Sequence, residues 1–118
     1  MSECIFCQIV AGKSEADVVY ADESVIAFHN IEPQTPVHIV LVPREHVPSI
    51  EALSASHTEL VSNLFSVARH LGEKHDQHDY GYRITVNSER QAEIPHLHLH
   101  VHSGLPDLDD PAKGGDSK

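Results

Sequence analysis

The stretch His96-Leu97-His98-Leu99-His100-Val101-His102 alternates four histidines with three aliphatic residues. Successive side chains of a β-strand point to opposite faces, so residues two apart share a face. As a strand, this segment sends Leu97, Leu99 and Val101 into a core and lines His96, His98, His100 and His102 along the other face. As a helix, it would scatter the same histidines around a cylinder and bury nothing coherently. Leu and Val at the alternate positions favour the strand. A row of imidazoles on one face is suited to holding phosphate, binding metal or moving protons, and is poorly suited to packing.

Working outward, Tyr82-Arg83-Ile84-Thr85-Val86-Asn87 alternates and reads as the preceding strand, joined to the histidine stretch by a loop over 88–95. Upstream, Leu60, Leu64, Val67 and Leu71 recur at helical spacing, with Val61, Phe65 and Ala68 widening the stripe. Ser56-His57-Thr58-Glu59 has the capping-box pattern, so a helix is predicted over 56–75, with Gly72 a weak helix former near its end. His38-Ile39-Val40-Leu41-Val42 is almost continuously apolar and closed by Pro43, the mark of a central strand. Val18-Val19-Tyr20 and Val25-Ile26-Ala27-Phe28-His29 flank the turn Ala21-Asp22-Glu23-Ser24 and read as a hairpin. Ile5, Phe6 and Ile9 read as one helical turn or a cap over the core. The sum is an α+β fold: about five strands in a mostly antiparallel sheet, one long helix and a short N-terminal helix. The domain is expected over 1–105, followed by a polar, acidic, disordered tail over 106–118.

The 118 residues are 40% hydrophobic, enough for a single core. No stretch has the length and apolarity of a bilayer span, and the N-terminus lacks a signal pattern, so a cytoplasmic location is expected. The absence of a bilayer span also argues against a membrane partner, and the formal net charge of −10, from 8 basic and 18 acidic residues, argues against a nucleic-acid partner. It leaves open a small anionic ligand held by local imidazoles and backbone amides. Of the 11 histidines, His57, His70, His75 and His78 read as solvent-exposed surface. Cys4 and Cys7 form a C-x-x-C, which in a reduced compartment suggests a metal half-site, a redox pair or two plain thiols, not a structural disulfide. A closed four-ligand zinc site would need two histidines besides these two cysteines.

The histidine stretch resembles the histidine-triad signature, H-φ-H-φ-H-φ-φ with φ apolar. Asn30-Ile31-Glu32-Pro33-Gln34-Thr35-Pro36-Val37-His38 resembles the same family's D-I-x-P-x-x-P-x-H segment, and Val42-Pro43-Arg44-Glu45-His46 its next block. Tyr82-Arg83-Ile84-Thr85-Val86-Asn87 is similar to the strand that delivers the family's phosphate-contacting asparagine. The motifs run in order from about Cys4 to His102.

The resemblance implies a small, homodimeric α+β protein that binds a purine nucleoside phosphate derivative, such as an adenosine phosphoramidate, and cleaves at the α-phosphorus through a nucleotidyl-histidine. A central histidine that attacks phosphorus must use a neutral nitrogen, so its other nitrogen should donate to an acceptor. Its neighbours can stabilise the charge that builds on phosphate oxygens. The motif register makes His98 the nucleophile and His100 a phosphate-side donor, with His38 reaching the same place from the neighbouring strand. A rival register, His98-His100-His102, would move the nucleophile to His100.

Asn87 and Glu93 fall on phosphate-contacting positions. Asn30 falls at the ribose, replacing the usual aspartate. Phe6, Ile9, Phe28 and Ile31 fall around the base, or serve as plain core. Gln91-Ala92 stands where Gly-Gln is expected in a shortened loop. Dinucleoside polyphosphate hydrolysis, or nucleotide binding with little catalysis in a zinc-stabilised interaction module, are therefore the alternatives. A branch of the family opens with the same C-I-F-C, and by its pattern Cys4, Cys7, His46 and His96 would hold a structural zinc ion.

Overall fold

The computed structural model describes residues 4–30, 33, 35–76 and 80–104. The expected tail over 106–118, and Ile31 among the expected binding residues, lie outside the described residues. The elements in chain order are α1 (Ile5–Val10), β1 (Val18–Ala21), β2 (Val25–His29), β3 (Val37–Pro43), α2 (Thr58–Lys74), β4 (Tyr82–Val86) and β5 (Leu99–Ser103), with short 3-10 turns at Ile50–Ala52 and Ala55–His57. The strands form one sheet in the order β1-β2-β3-β5-β4, every neighbouring pair antiparallel. Among the described residues, no helix is long and apolar enough to cross a membrane.

β3 is buried at every position because both of its faces are covered. Its odd-numbered side chains, Val37, Ile39 and Leu41, join Val25, Ala27, Leu99 and Val101 under the α2 stripe of Leu64, Val67, Ala68 and Leu71. Its even-numbered Val40 and Val42 join Ile26, Phe28, Cys4 and Phe6 under α1. The continuous apolar run of β3 thus reflects two separate cores. Each large side chain so buried contributes about 1.5–3 kcal/mol. The alternation in β5 is cleaner: Leu99, Val101 and Ser103 are buried, while His100 and His102 are half-buried on the α1 side.

Two local expectations shift. The capping box lies at Ser54, not Ser56, and closes the 3-10 turn Ala55–His57 that leads into α2, whose own N-cap, His57, makes no side-chain cap bond. The Ser54 hydroxyl accepts from Ser56 N, while the His57 ring accepts from Ser54 N at 3.1 Å, so His57 is half-buried and structural. His75 is also half-buried, whereas His70 is exposed and His78 lies outside the described residues.

The second shift is that β5 starts at Leu99, three residues later than the alternation implies. Leu97 N donates to Val47 O and the His96 ring to Pro43 O, so this part of the chain is tied to the segment after β3 rather than laddered along the strand. Gly72, the weak point of the helix in sequence terms, has a packing reason: a Cβ there would run into the Tyr82 ring of β4.

The β1–β2 turn is held by Asp22. Its carboxylate accepts from Ser24 N at 2.7 Å, Val25 N at 2.9 Å, the Tyr20 hydroxyl at 2.7 Å and Asn63 on α2 at 3.3 Å. Burial alone would raise its pKa, but these donors outweigh it together and hold the group at about 2.

Candidate active site

The sheet register builds the histidine row. His38 pairs with His102 and Val40 with His100 across β3 and β5, placing His38, His100 and His102 on one face. His38 Nε2 lies 2.9 Å from His100 Nδ1, and the Asn30 amide approaches the same His38 nitrogen at 3.4 Å. The Asn30 backbone N–H donates to His38 O at 2.9 Å, fixing the end of the loop against the start of β3. The His98 and His100 rings meet nearly edge to face, centroids 4.9 Å apart. Burial lowers the pKa of His38 to about 4, with help from His102, and burial lowers that of His100 to about 4, with help from His98 and His38. These two rings are therefore neutral at physiological pH. Burial, then His100 and Arg83, lowers His102 as well.

His98 is buried, and its Nδ1 donates to the carbonyl oxygen of His96 at 2.8 Å. A carbonyl only accepts, so in the neutral ring the lone pair stands on Nε2. Phe6 lies against this ring, centroids 5.0 Å apart, and also touches the His96 ring at 5.9 Å and Phe28 at 5.7 Å. A single α1 side chain therefore separates and braces the two chemical regions.

The second region lies at the beginning of the histidine stretch. His96 is fully buried, and its Nε2 donates to Pro43 O at 2.9 Å, which leaves Nδ1 with the lone pair. Around that Nδ1 stand Cys4 Sγ at 3.4 Å, Cys7 Sγ at 3.5 Å and His46 Nδ1 at 3.1 Å, with His46 Nδ1 and Cys7 Sγ 3.0 Å apart. The thiols are not joined in a disulfide. Ligands at about 2.0 Å (nitrogen) and 2.3 Å (sulfur) from a tetrahedral ion would be spaced roughly 3.3–3.8 Å apart, close to what these donors show. The Pro43 carbonyl acts as the outer partner that fixes the ring of a ligating histidine. The donor set fits a closed structural metal site. Burial lowers the His96 pKa, the Pro43 bond opposes that shift, and His46 and His98 add to it, so the ring is kept neutral as a ligand must be.

The remaining expected residues are placed less centrally. Phe6 and Phe28 are buried in the α1-side cluster, and Ile9 is half-buried at its edge. Asn87 directly follows β4, whose last residue, Val86, pairs with Leu99, so it comes level with His98. Glu93 is exposed in the loop before Pro95. Gln91 N and Ala92 N both bond Ser88 O at 2.9 Å, so the altered loop is a tight turn. Two contributors escape sequence reasoning. The Pro43 carbonyl is backbone and leaves no trace in residue types. His102 is legible as a member of the histidine face and of the rival register, but not as a neighbour of His38, from whose ring its own lies 4.3 Å.

The chain matches, over residues 3–109, the family model described as the scavenger mRNA decapping enzyme C-terminal binding domain. It is 34% identical over 106 residues to the purine nucleoside phosphoramidase of Escherichia coli K12, covering 88% of this chain and 89% of that protein. The chain belongs to the histidine-triad family. Among solved structures, a histidine-triad family hydrolase from Legionella pneumophila superposes with a TM-score of 0.83 at 32% identity, covering 87% of this chain and 94% of the other. A histidine-triad protein from Clostridium difficile gives 0.82 at 30% identity, covering 89% and 93%. The family assignment and the fold agree with the motif reading.

Proposed function

We propose that this histidine-triad protein is a hydrolase or nucleotidyl transferase acting at the α-phosphate of a purine nucleoside phosphate derivative, with an adenosine phosphoramidate as the representative substrate. The observation that carries the proposal is the His98 ring. Its Nδ1 is committed to His96 O, so the neutral ring has its lone pair on Nε2 and lies beside His100, which in turn contacts His38. The 34% identity to a purine nucleoside phosphoramidase supports the substrate class.

In this reading Nε2 attacks the α-phosphorus, an N–P bond forms, and the P–N bond to the leaving amine breaks. The amine takes up a proton as it leaves. Water then attacks the nucleotidyl-histidine, releases the nucleoside monophosphate, returns a proton to solvent and restores Nε2. In the neutral His38–His100 pair one ring spends its single N–H on the other across 2.9 Å, so the accepting ring keeps its own N–H for a phosphoryl oxygen, which gathers charge in both steps. Asn87 and Glu93 adjoin the phosphate, Asn30 the ribose, and Phe6, Ile9 and Phe28 the base side.

Zinc is the ion selected by the Cys4, Cys7, His46 and His96 set. Bound there, it would be held by these four side chains and would supply a structural cross-link. It ties α1 to the segment after β3 and to the start of the histidine stretch. The reading also makes the chain a homodimer, for which the exposed Phe65 of α2 offers apolar surface; light scattering on the purified chain checks this.

The test of function is single-turnover reaction with adenosine phosphoramidate and mass spectrometry of the quenched protein. An adenylyl adduct on the peptide holding His98, converted to AMP on longer incubation, is the expected result. Tight nucleotide binding with no adduct and no AMP would overturn it in favour of a binding module, the reading that the altered Gln91-Ala92 turn favours. Faster turnover of a diadenosine polyphosphate would redirect the substrate class.

A further inference from the structure

We propose that His38, His100 and His102 form a second metal-binding site, open to a borderline d-block dication such as zinc, cobalt or nickel. Among the described residues, only two groups bring three or more metal-ligating side chains together, and this is the one besides the cysteine set; one ligand atom from each histidine lies within 4.8 Å of the others.

The site is built by the sheet. His38 and His102 are direct partners across β3 and β5, and His100 lies two residues from His102 on the same face. The His38 and His102 rings lie 4.3 Å apart at 31°, and those of His100 and His102 lie 5.7 Å apart at 28°, so all three approach from one side. The 2.9 Å contact between His38 Nε2 and His100 Nδ1 requires a proton on one of them. A metal ion takes the place of that proton, which moves to the other nitrogen of its ring.

His102 has its own outer partner. The Thr35 hydroxyl donates to Val37 O, so only its acceptor capacity faces His102 Nδ1 at 3.4 Å. This holds the neutral His102 ring as Nδ1–H with the lone pair on Nε2, the orienting arrangement that ligating histidines use. Three imidazoles with no carboxylate exclude hard ions such as magnesium and suit the d-block series. Arg83, the cross-strand neighbour of His102 on β4, opposes a cation, so this site fills after the cysteine-containing one.

Cobalt(II) added to the full-length chain as purified reads the two sites apart. A cysteine-containing site gives thiolate-to-cobalt charge transfer, whereas a histidine-only site gives ligand-field bands alone. One equivalent of cobalt without the charge-transfer band is expected in the wild type, and its loss is expected in His102→Leu. A wild type that takes up no such equivalent overturns the proposal, whatever the variant does, and so does a folded His102→Leu that retains it. If that variant does not fold, His102→Gln, which keeps polarity and length, answers the same question.

One consequence rests on the hydrolase reading: bound cobalt ties up His38 and His100, so it should slow phosphoramidate turnover in the wild type and not in His102→Leu. The cobalt count stands or falls without that activity.

Discussion

His96 and His98 are two residues apart and carry opposite tautomers. His96 donates from Nε2 to Pro43 O and keeps its lone pair on Nδ1, facing two sulfurs; His98 donates from Nδ1 to His96 O and keeps its lone pair on Nε2, beside a row of imidazoles. The region around His96 mixes thiols with imidazoles, draws donors from α1, the segment after β3 and the start of the histidine stretch, and closes on itself. The region around His98 has imidazoles alone and comes from two neighbouring strands and the chain that enters one of them. The first gathers donors close enough to hold a metal ion; the second, in the proposed function, receives the phosphate. The difference comes from which carbonyl each ring meets, so identical residue types acquire different chemistry from backbone placement alone.

The largest test of this contrast is a paired substitution. His98→Ala is expected to lower phosphoramidate turnover on the order of 10⁴-fold or more while nucleotide binding and melting temperature stay close to wild type. His96→Ala should instead lose metal and stability. If steady-state assays and thermal melts gave both variants the same pattern, the division between the two regions would collapse.

Next in size is metal removal. Stripping the metal, or replacing Cys4 and Cys7 with serine, should lower the melting temperature by about 10 °C or more in calorimetry, and zinc should restore the stripped wild type. A chain that is equally stable with and without metal would make the cysteine corner an ordinary packed cluster.

Gly72→Ala touches neither region directly. The new Cβ displaces the Tyr82 ring, and a loss of about 1–3 kcal/mol is expected in urea unfolding. Turnover and metal content per folded molecule should stay unchanged. A selective loss of turnover would show that β4 positions the histidine row more tightly than it positions the metal corner.

The smallest effect is expected at Asp22. Losing its charge in Asp22→Asn should cost about 1–2 kcal/mol near neutral pH. The folded carboxyl is held at about 2, against an ordinary value of 3.8, so the unfolded chain binds more protons between those values. The carboxylate's contribution is therefore complete above about pH 4 and disappears as pH falls toward 2. The stability gap between wild type and Asp22→Asn should narrow over that interval in pH-dependent denaturation. A gap that stayed constant would separate the cost from the charge.

Much of the fold is legible in the residues. The α2 stripe, the β1–β2 hairpin around Asp22 and the unbroken apolar run of β3 follow from side-chain periodicity and turn chemistry, which are local properties. So does the inward set Leu97, Leu99 and Val101, and the motif order points to the family. The cap at Ser54 is less legible, since two nearby serines both suit a helix start and only the reach of the His57 ring separates them.

The histidine stretch divides along the same line. Sequence alone determined that its imidazoles alternate with core residues, because strand geometry has period two. The family resemblance already named Cys4, Cys7, His46 and His96 together, and the tertiary structure brings them within ligand distance of one another; it alone decided where the strand begins, that His98 keeps its free lone pair on Nε2, and that His102 joins His38. Those outcomes depend on the carbonyls of Pro43 and His96 and on the pairing of His38 with His102, contacts whose position is set by the packing of distant segments and has no signature in residue type.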